Sequence, residues 1–90
     1  MAHVTFTSHL TRFFPDLVEG HVEAATVREL VQALERRHPG FASFVVDEAG
    51  RLRRHVNIFV GEEPIRDRDA LGDRLEPDTP VFIVQALSGG

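Results

Sequence analysis

The sequence closes on Gly89-Gly90, directly behind the apolar run from Pro80 to Leu87. Glycine makes up about 7% of ordinary sequence, so a terminal pair arises by chance about once in 200 chains. With no Cβ, glycine has the freest backbone of any residue and weakens regular structure. Such a pair does little to hold a fold together. It does present a bare carboxylate on a thin stalk that another protein can thread into a narrow site. Ser88 permits extension ahead of the pair, and Leu87 to Gly90 span at most about 13–14 Å. A free carboxylate of this kind is a poor electrophile until something activates it.

No other pattern in the chain competes with this one. The five histidines, His3, His9, His21, His38 and His55, show no HxxxH or HExxH spacing and read as surface or helix-end charge. Ser8, Ser43 and Ser88 lie in no nucleophile-elbow pattern. There is no phosphate loop and no dinucleotide fingerprint. The chain has no cysteine, so disulfides, thiolate metal sites and a cysteine nucleophile are excluded, which fits a reducing, cytoplasmic setting. A formal charge of −4 does not favour nucleic acid. No apolar run is long enough to span a bilayer and no signal-peptide pattern opens the chain, so no membrane role is expected. Arg51-Leu-Arg-Arg54 has the charge to meet an acidic partner, but reads first as a solvated loop. Glu62-Glu63 and Arg66-Asp-Arg-Asp69 read as polar turns.

Ninety residues make one domain. Its elements must present the terminus and a surface beside it. Val4-Thr-Phe-Thr-Ser8 alternates apolar and polar, which predicts a first strand with Val4 and Phe6 inward. Leu10 to Gly20 reads as a loop, and His21-Val-Glu-Ala24 as a second strand in a hairpin with the first. Thr26 with Glu29 forms a capping box, and Val27, Leu30, Val31 and Leu34 share one helical face. Arg36, Arg37 and His38 suit the negative end of the helix dipole, and Pro39-Gly40 stops the helix, which is predicted over about 27–38. Phe41, Phe44 and Val45 predict a short helical turn, and Asp47 to Gly50 a turn. Val56 to Val60 predicts a strong strand. Ile65 starts a short edge strand, Leu71 and Leu75 suggest one turn of helix, Glu76 to Thr79 turns the chain, and Val81 to Leu87 is the last strand.

A single apolar helix stripe needs one sheet face to bury it. The expected class is α+β: a mixed sheet gripping one main helix, with the final strand beside the first at the sheet centre. This is the β-grasp, or ubiquitin-like, arrangement, with another α+β sandwich as the alternative. Residues 1–86 form the domain and 87–90 a flexible tail. If Val56, Ile58, Val60, Val81 and Ile83 face the helix, Phe59, Phe82 and Val84 face out together. Exposed aromatics grouped on one sheet face mark partner surfaces, so these three, with Leu87, are the expected docking residues. The competing reading is a second small core covered by the 9–20 loop.

Val56-Asn-Ile-Phe-Val60 with the turn Gly61-Glu-Glu-Pro-Ile65, and the tail Ile83-Val-Gln-Ala-Leu-Ser-Gly-Gly90, resemble the bacterial sulfur carriers related to ubiquitin. This is the MoaD/ThiS-like group, which includes the small subunit of molybdopterin synthase and the thiamine-pathway and cysteine-biosynthesis carriers. Arg53-Arg54-His55 ahead of the strand is similar to the cysteine-biosynthesis type. The chain departs from the molybdopterin type in having Gln85 and Ala86 near the usual paired prolines, and Gly61-Glu62 stands where an Asn-Gly turn is common. The resemblance implies a carrier that is not itself an enzyme. An ATP-dependent, E1-like activating enzyme adenylates Gly90, sulfur displaces AMP to give a thiocarboxylate, and a sulfur-acceptor enzyme receives it. No cofactor is bound by the carrier; ATP belongs to the partner. The free protein is expected to be a monomer. Alternatives are a protein modifier conjugated to lysine through Gly90, a stably bound synthase subunit, and an interaction module whose glycines are inert.

Overall fold

The computed structural model describes residues 2–6, 20–76 and 78–85. In chain order the elements are β1 (Ala2–Phe6), β2 (Gly20–Val22), α1 (Val27–Arg37), α2 (Phe41–Val45), β3 (Val56–Val60), β4 (Glu63–Pro64) and β5 (Pro80–Gln85). The expected 10–20 loop lies outside the described residues apart from Gly20, which begins β2.

Alternation dictates the sheet. Alternate residues of β1, β3 and β5 turn to one side, where the β-branched Val4, Val56, Ile58, Val81 and Ile83 are buried. The five strands stand in the order β2-β1-β5-β3-β4. β1 runs antiparallel to β2 and parallel to β5, while β3 runs antiparallel to both β5 and β4. The last strand thus occupies the centre, between the first strand and the third.

The helix forms where capping and periodicity place it. Thr26 Oγ1 accepts the Glu29 N–H at 3.2 Å. Glu29 Oε1 reaches back to the N–H of Ala25, one residue before the cap, at 3.1 Å. The buried stripe is Val27, Leu30, Val31, Ala33 and Leu34. Two of the first-turn N–H groups find partners outside the helix: Val27 donates to the Asp73 carbonyl and Arg28 to that of Leu71. At the other end, the Glu35 carboxylate accepts the N–H groups of Gly40 (3.0 Å) and Ala42 (2.9 Å) and so ties α1 to the start of α2. Those two bonds hold its pKa below the ordinary value. Gly40 turns there with φ +98°, a backbone open to glycine at low cost.

Phe41 closes the core under the sheet, fully buried, with Phe6 edge-on to it at 5.9 Å. Each such apolar side chain stabilises the fold by about 1.5–3 kcal/mol. One main helix, α1, gripped by a mixed sheet with a parallel central pair is the β-grasp arrangement.

Three local expectations need correction. Leu71 and Leu75 do not make a helical turn. Leu71 has φ +55°, outside helical space, and both leucines are buried from an irregular loop. Their spacing of four reflects two separate anchor points. The loop is held by carboxylates instead. Asp73 accepts the N–H groups of Arg66 and Asp67, and Asp67 accepts those of Asp69, Ala70 and Gly72. Likewise Ile65 does not open the edge strand. Glu63 and Pro64 form it, and Ile65 turns into the core behind them. The second strand is also shorter than read, ending at Val22.

Candidate functional site

Pairing register decides what the outer face of the sheet displays. Phe59 on β3 stands opposite Phe82 on β5, and Asn57 opposite Val84. On the other flank Thr5 of β1 stands beside Phe82. Pro64 of β4 faces Phe59. Opposed residues share a face, so Phe59, Phe82, Val84 and Pro64 form one apolar strip across three strands. Phe82 at its centre is 42% exposed, the most exposed large apolar side chain among the described residues. Phe59 and Val84 are half-buried. The sequence reading therefore places these three residues together and outward. Leu87, Ser88, Gly89 and Gly90 lie outside the described residues.

The same register locates the point at which the chain leaves the sheet. Val81 pairs with Val60 and Gln85 with Val56. β5 therefore runs outward beside the turn that precedes β3, which carries Arg53, Arg54 and His55. Sequence reasoning treated the Arg51–Arg54 run as a solvated loop and Arg68 as a turn residue. The structure brings them to one corner. Arg68 donates to the carbonyls of Arg53 (2.8 Å) and Val56 (3.0 Å) and to Asn57 Oδ1 (3.1 Å). A guanidinium has five donors in a fixed fork, which suits tying a turn to a strand in this way. Arg53 Nε donates to the Ser43 carbonyl at 2.8 Å, fastening the corner to α2. Asp47 forms a 3.6 Å ion pair with Arg51 and accepts the Arg51 N–H, which lowers its pKa. Arg51, Arg53, Arg54, His55 and Arg68 line an open hollow of about 670 Å³, with Asp47 and Asp69 as the acidic members. The signal for this gathering was absent from local sequence, because Arg68 arrives from a loop whose path depends on the Asp67 and Asp73 caps.

Elsewhere the described residues hold no group of three metal-ligating side chains. His3 and His21 stack across β1 and β2 with ring centroids 5.2 Å apart. No helix among the described residues is long and apolar enough to cross a membrane.

An outer apolar strip on a β-grasp sheet, beside a central strand that runs out toward a diglycine end, defines a ubiquitin-like protein. Comparison with known proteins makes the assignment specific. The chain belongs to the ThiS family, whose profile matches residues 5–90. It is 30% identical over 67 residues to the sulfur carrier protein CysO of Mycobacterium tuberculosis, covering 72% of each chain. A chain in the crystal structure of the Amycolatopsis orientalis BexX/CysO complex superposes with a TM-score of 0.84 at 26% identity, over all of both chains. SAMP1 from Haloferax volcanii shares the fold at a TM-score of 0.76 and 24% identity, over 99% of this chain and 98% of that one.

Proposed function

We propose that this protein is a sulfur carrier whose Gly90 carboxylate is energised and loaded by partner enzymes. The observation that carries this reading is membership of the ThiS family by a match that runs through residue 90, the second terminal glycine. The register supports it. A strand clamped on both sides by β1 and β3 gives the end of the chain a rigid base.

In the proposed cycle a carboxylate oxygen of Gly90 attacks the α-phosphorus of ATP in an activating enzyme, and pyrophosphate leaves. A sulfide-level nucleophile then attacks the acyl carbon, and the C–O bond to AMP breaks with AMP as leaving group. The thiocarboxylate sulfur then attacks an electrophilic carbon of the acceptor, displacing its leaving group, and water cleaves the bond between that sulfur and the Gly90 acyl carbon, which restores the carboxylate and leaves the sulfur on the acceptor. The protein is thus a substrate of other enzymes. Gly89 and Gly90 suit passage through a channel too narrow for side chains. Phe82, Phe59 and Val84 dock the globule at the channel mouth, where a desolvated aromatic contributes most of the contact energy. The likeness to CysO carriers favours a cysteine-forming pathway over the molybdopterin and thiamine alternatives.

Incubation with its cognate activating enzyme, ATP and a sulfur donor should exchange one terminal oxygen for sulfur, read by intact-protein mass spectrometry. An unchanged terminus under those conditions would contradict the proposal. High-mass conjugates to other proteins that require Gly90 would instead select a protein modifier.

A further inference from the structure

The acyl-donor chemistry just proposed exposes the chain to a side reaction, because an energised acyl group reacts with any amine or thiolate that it meets. In that reaction the amine lone pair attacks the Gly90 acyl carbon, and the bond to the AMP oxygen breaks with the electron pair leaving on AMP. The ammonium proton passes to water. An amide remains and the carrier is spent. No side chain here can take that part. The sequence has no cysteine and no lysine, and all ten of its Lys and Arg positions are arginine. A guanidinium keeps its proton in proteins, whereas a lysine ammonium can shed its proton to become a nucleophile. A histidine gives at most an acyl-imidazole, which water cleaves back to the carboxylate.

Geometry says where this absence matters. Five residues follow Gln85, a reach of at most about 17 Å. Gln85 pairs with Val56, so Arg54 and its neighbours on the arginine-lined corner stand within the sweep of the terminus. The other end of the sheet stands outside it. β1 and β5 are parallel, and His3 pairs with Pro80. An amine at the start of β1 is therefore five strand residues back from Gln85, about 17 Å at the usual rise. A terminus doubling back would use its whole length before making the turn.

We propose that the rim around the exit carries arginine and no lysine because an amine there would capture the energised terminus, so that the chain serves as an acyl donor and not as an acceptor of itself. The rim keeps its positive charge and loses the nucleophile. The idea rests on the acyl-donor reading, so its test installs the energised end chemically, without any activating enzyme. The 90-residue chain is prepared with a C-terminal thioester at Gly90 in three forms: native, Arg54→Lys and Glu62→Lys. Arg54 is exposed, and Glu62 sits on the exposed turn after β3, beside Pro80 and away from the exit. Circular dichroism confirms that all three are folded. Short flexible tethers give millimolar effective concentrations, so at about 10 µM protein Arg54→Lys should close to an internal amide about 100-fold faster than chains join one another. Glu62→Lys should show no such acceleration, and the native chain should return to the carboxylate without internal amide. Hydrolysis of Arg54→Lys at the native rate without closure, or equally fast closure of Glu62→Lys, would overturn the proposal.

Discussion

Phe82 and Ile58 show how one sheet assigns opposite tasks to residues of similar character. Ile58 is fully buried beneath the sheet, while Phe82 stands exposed above it. Truncating a buried isoleucine removes its transfer energy and leaves a cavity, so Ile58→Ala should cost about 2–5 kcal/mol in denaturant unfolding. Phe82→Ser should change stability by no more than about 0.5 kcal/mol. On the docking reading, it should nevertheless weaken binding to the activating enzyme by about 2 kcal/mol or more, close to thirtyfold, in titration calorimetry. Unaltered binding by Phe82→Ser would remove the outer strip from the docking surface. This contrast was legible in β3, where Val56, Ile58 and Val60 alternate with Asn57 and Phe59; Val81 to Val84 are all apolar, so which of them face out is fixed only by pairing with β3. The terminal glycines were legible as composition alone, since the chemistry proposed for them takes place in another protein's active site.

At the scale of elements, the loop from Arg66 to Asp73 decides how the exit corner is built. Asp67 holds three N–H groups, and its pKa is lowered chiefly by the bonds from Ala70 and Gly72. A folded-state pKa below the unfolded value means that the contribution is present above the unfolded pKa. It is lost as pH falls through the folded pKa. Glu35 and Asp47 shift in the same direction for the same kind of reason. Stability should therefore fall as pH drops below about 4, near the ordinary carboxylate range. Asp67→Asn keeps one acceptor oxygen but loses the charge, so it should be less stable at neutral pH, with a shallower acid slope. An unchanged slope between pH 5 and about 2 would contradict this account. Arg68 transmits the loop to the strand. Arg68→Met should leave the Arg53 and Val56 carbonyls without this donor and speed amide exchange in residues 53–57, while the β1·β5 pairing stays protected. These features escaped sequence reading for a physical reason. Leu71 and Leu75 carry a helical spacing, yet the chain there is organised by two aspartates that cap backbone N–H groups, and Leu71 takes a left-handed φ. Local hydrophobic spacing cannot register a loop built on such carboxylate caps. The capping box of α1 was readable because its parts lie within five residues, whereas the arginine corner joins residues 15 apart.

For the whole molecule, the β-grasp topology answers a mechanical requirement. On the proposed carrier cycle, the last strand is held firmly while Gly90 is offered to another protein. Placing β5 between β1 and β3 supplies hydrogen bonds on both edges, and the helix covers one face, while Phe82 is exposed on the other. The element order alone pointed to this arrangement, since one amphipathic helix among several short strands has few ways to be buried. The arginine corner stands at the end of the sheet where Gln85 pairs with Val56, while the outer strip crosses the sheet toward the opposite end, with Phe59 and Phe82 next to the Val60–Val81 pair.

The central claim is that Gly90 is loaded with sulfur. Its most direct test is intact-protein mass spectrometry after incubation with the cognate activating enzyme, ATP and a sulfur donor, run beside a chain lacking Gly90. The account predicts that a terminal oxygen is replaced by sulfur in the full chain and that no change occurs in the shortened one. Sulfur gained equally by both chains, or by neither, would contradict it.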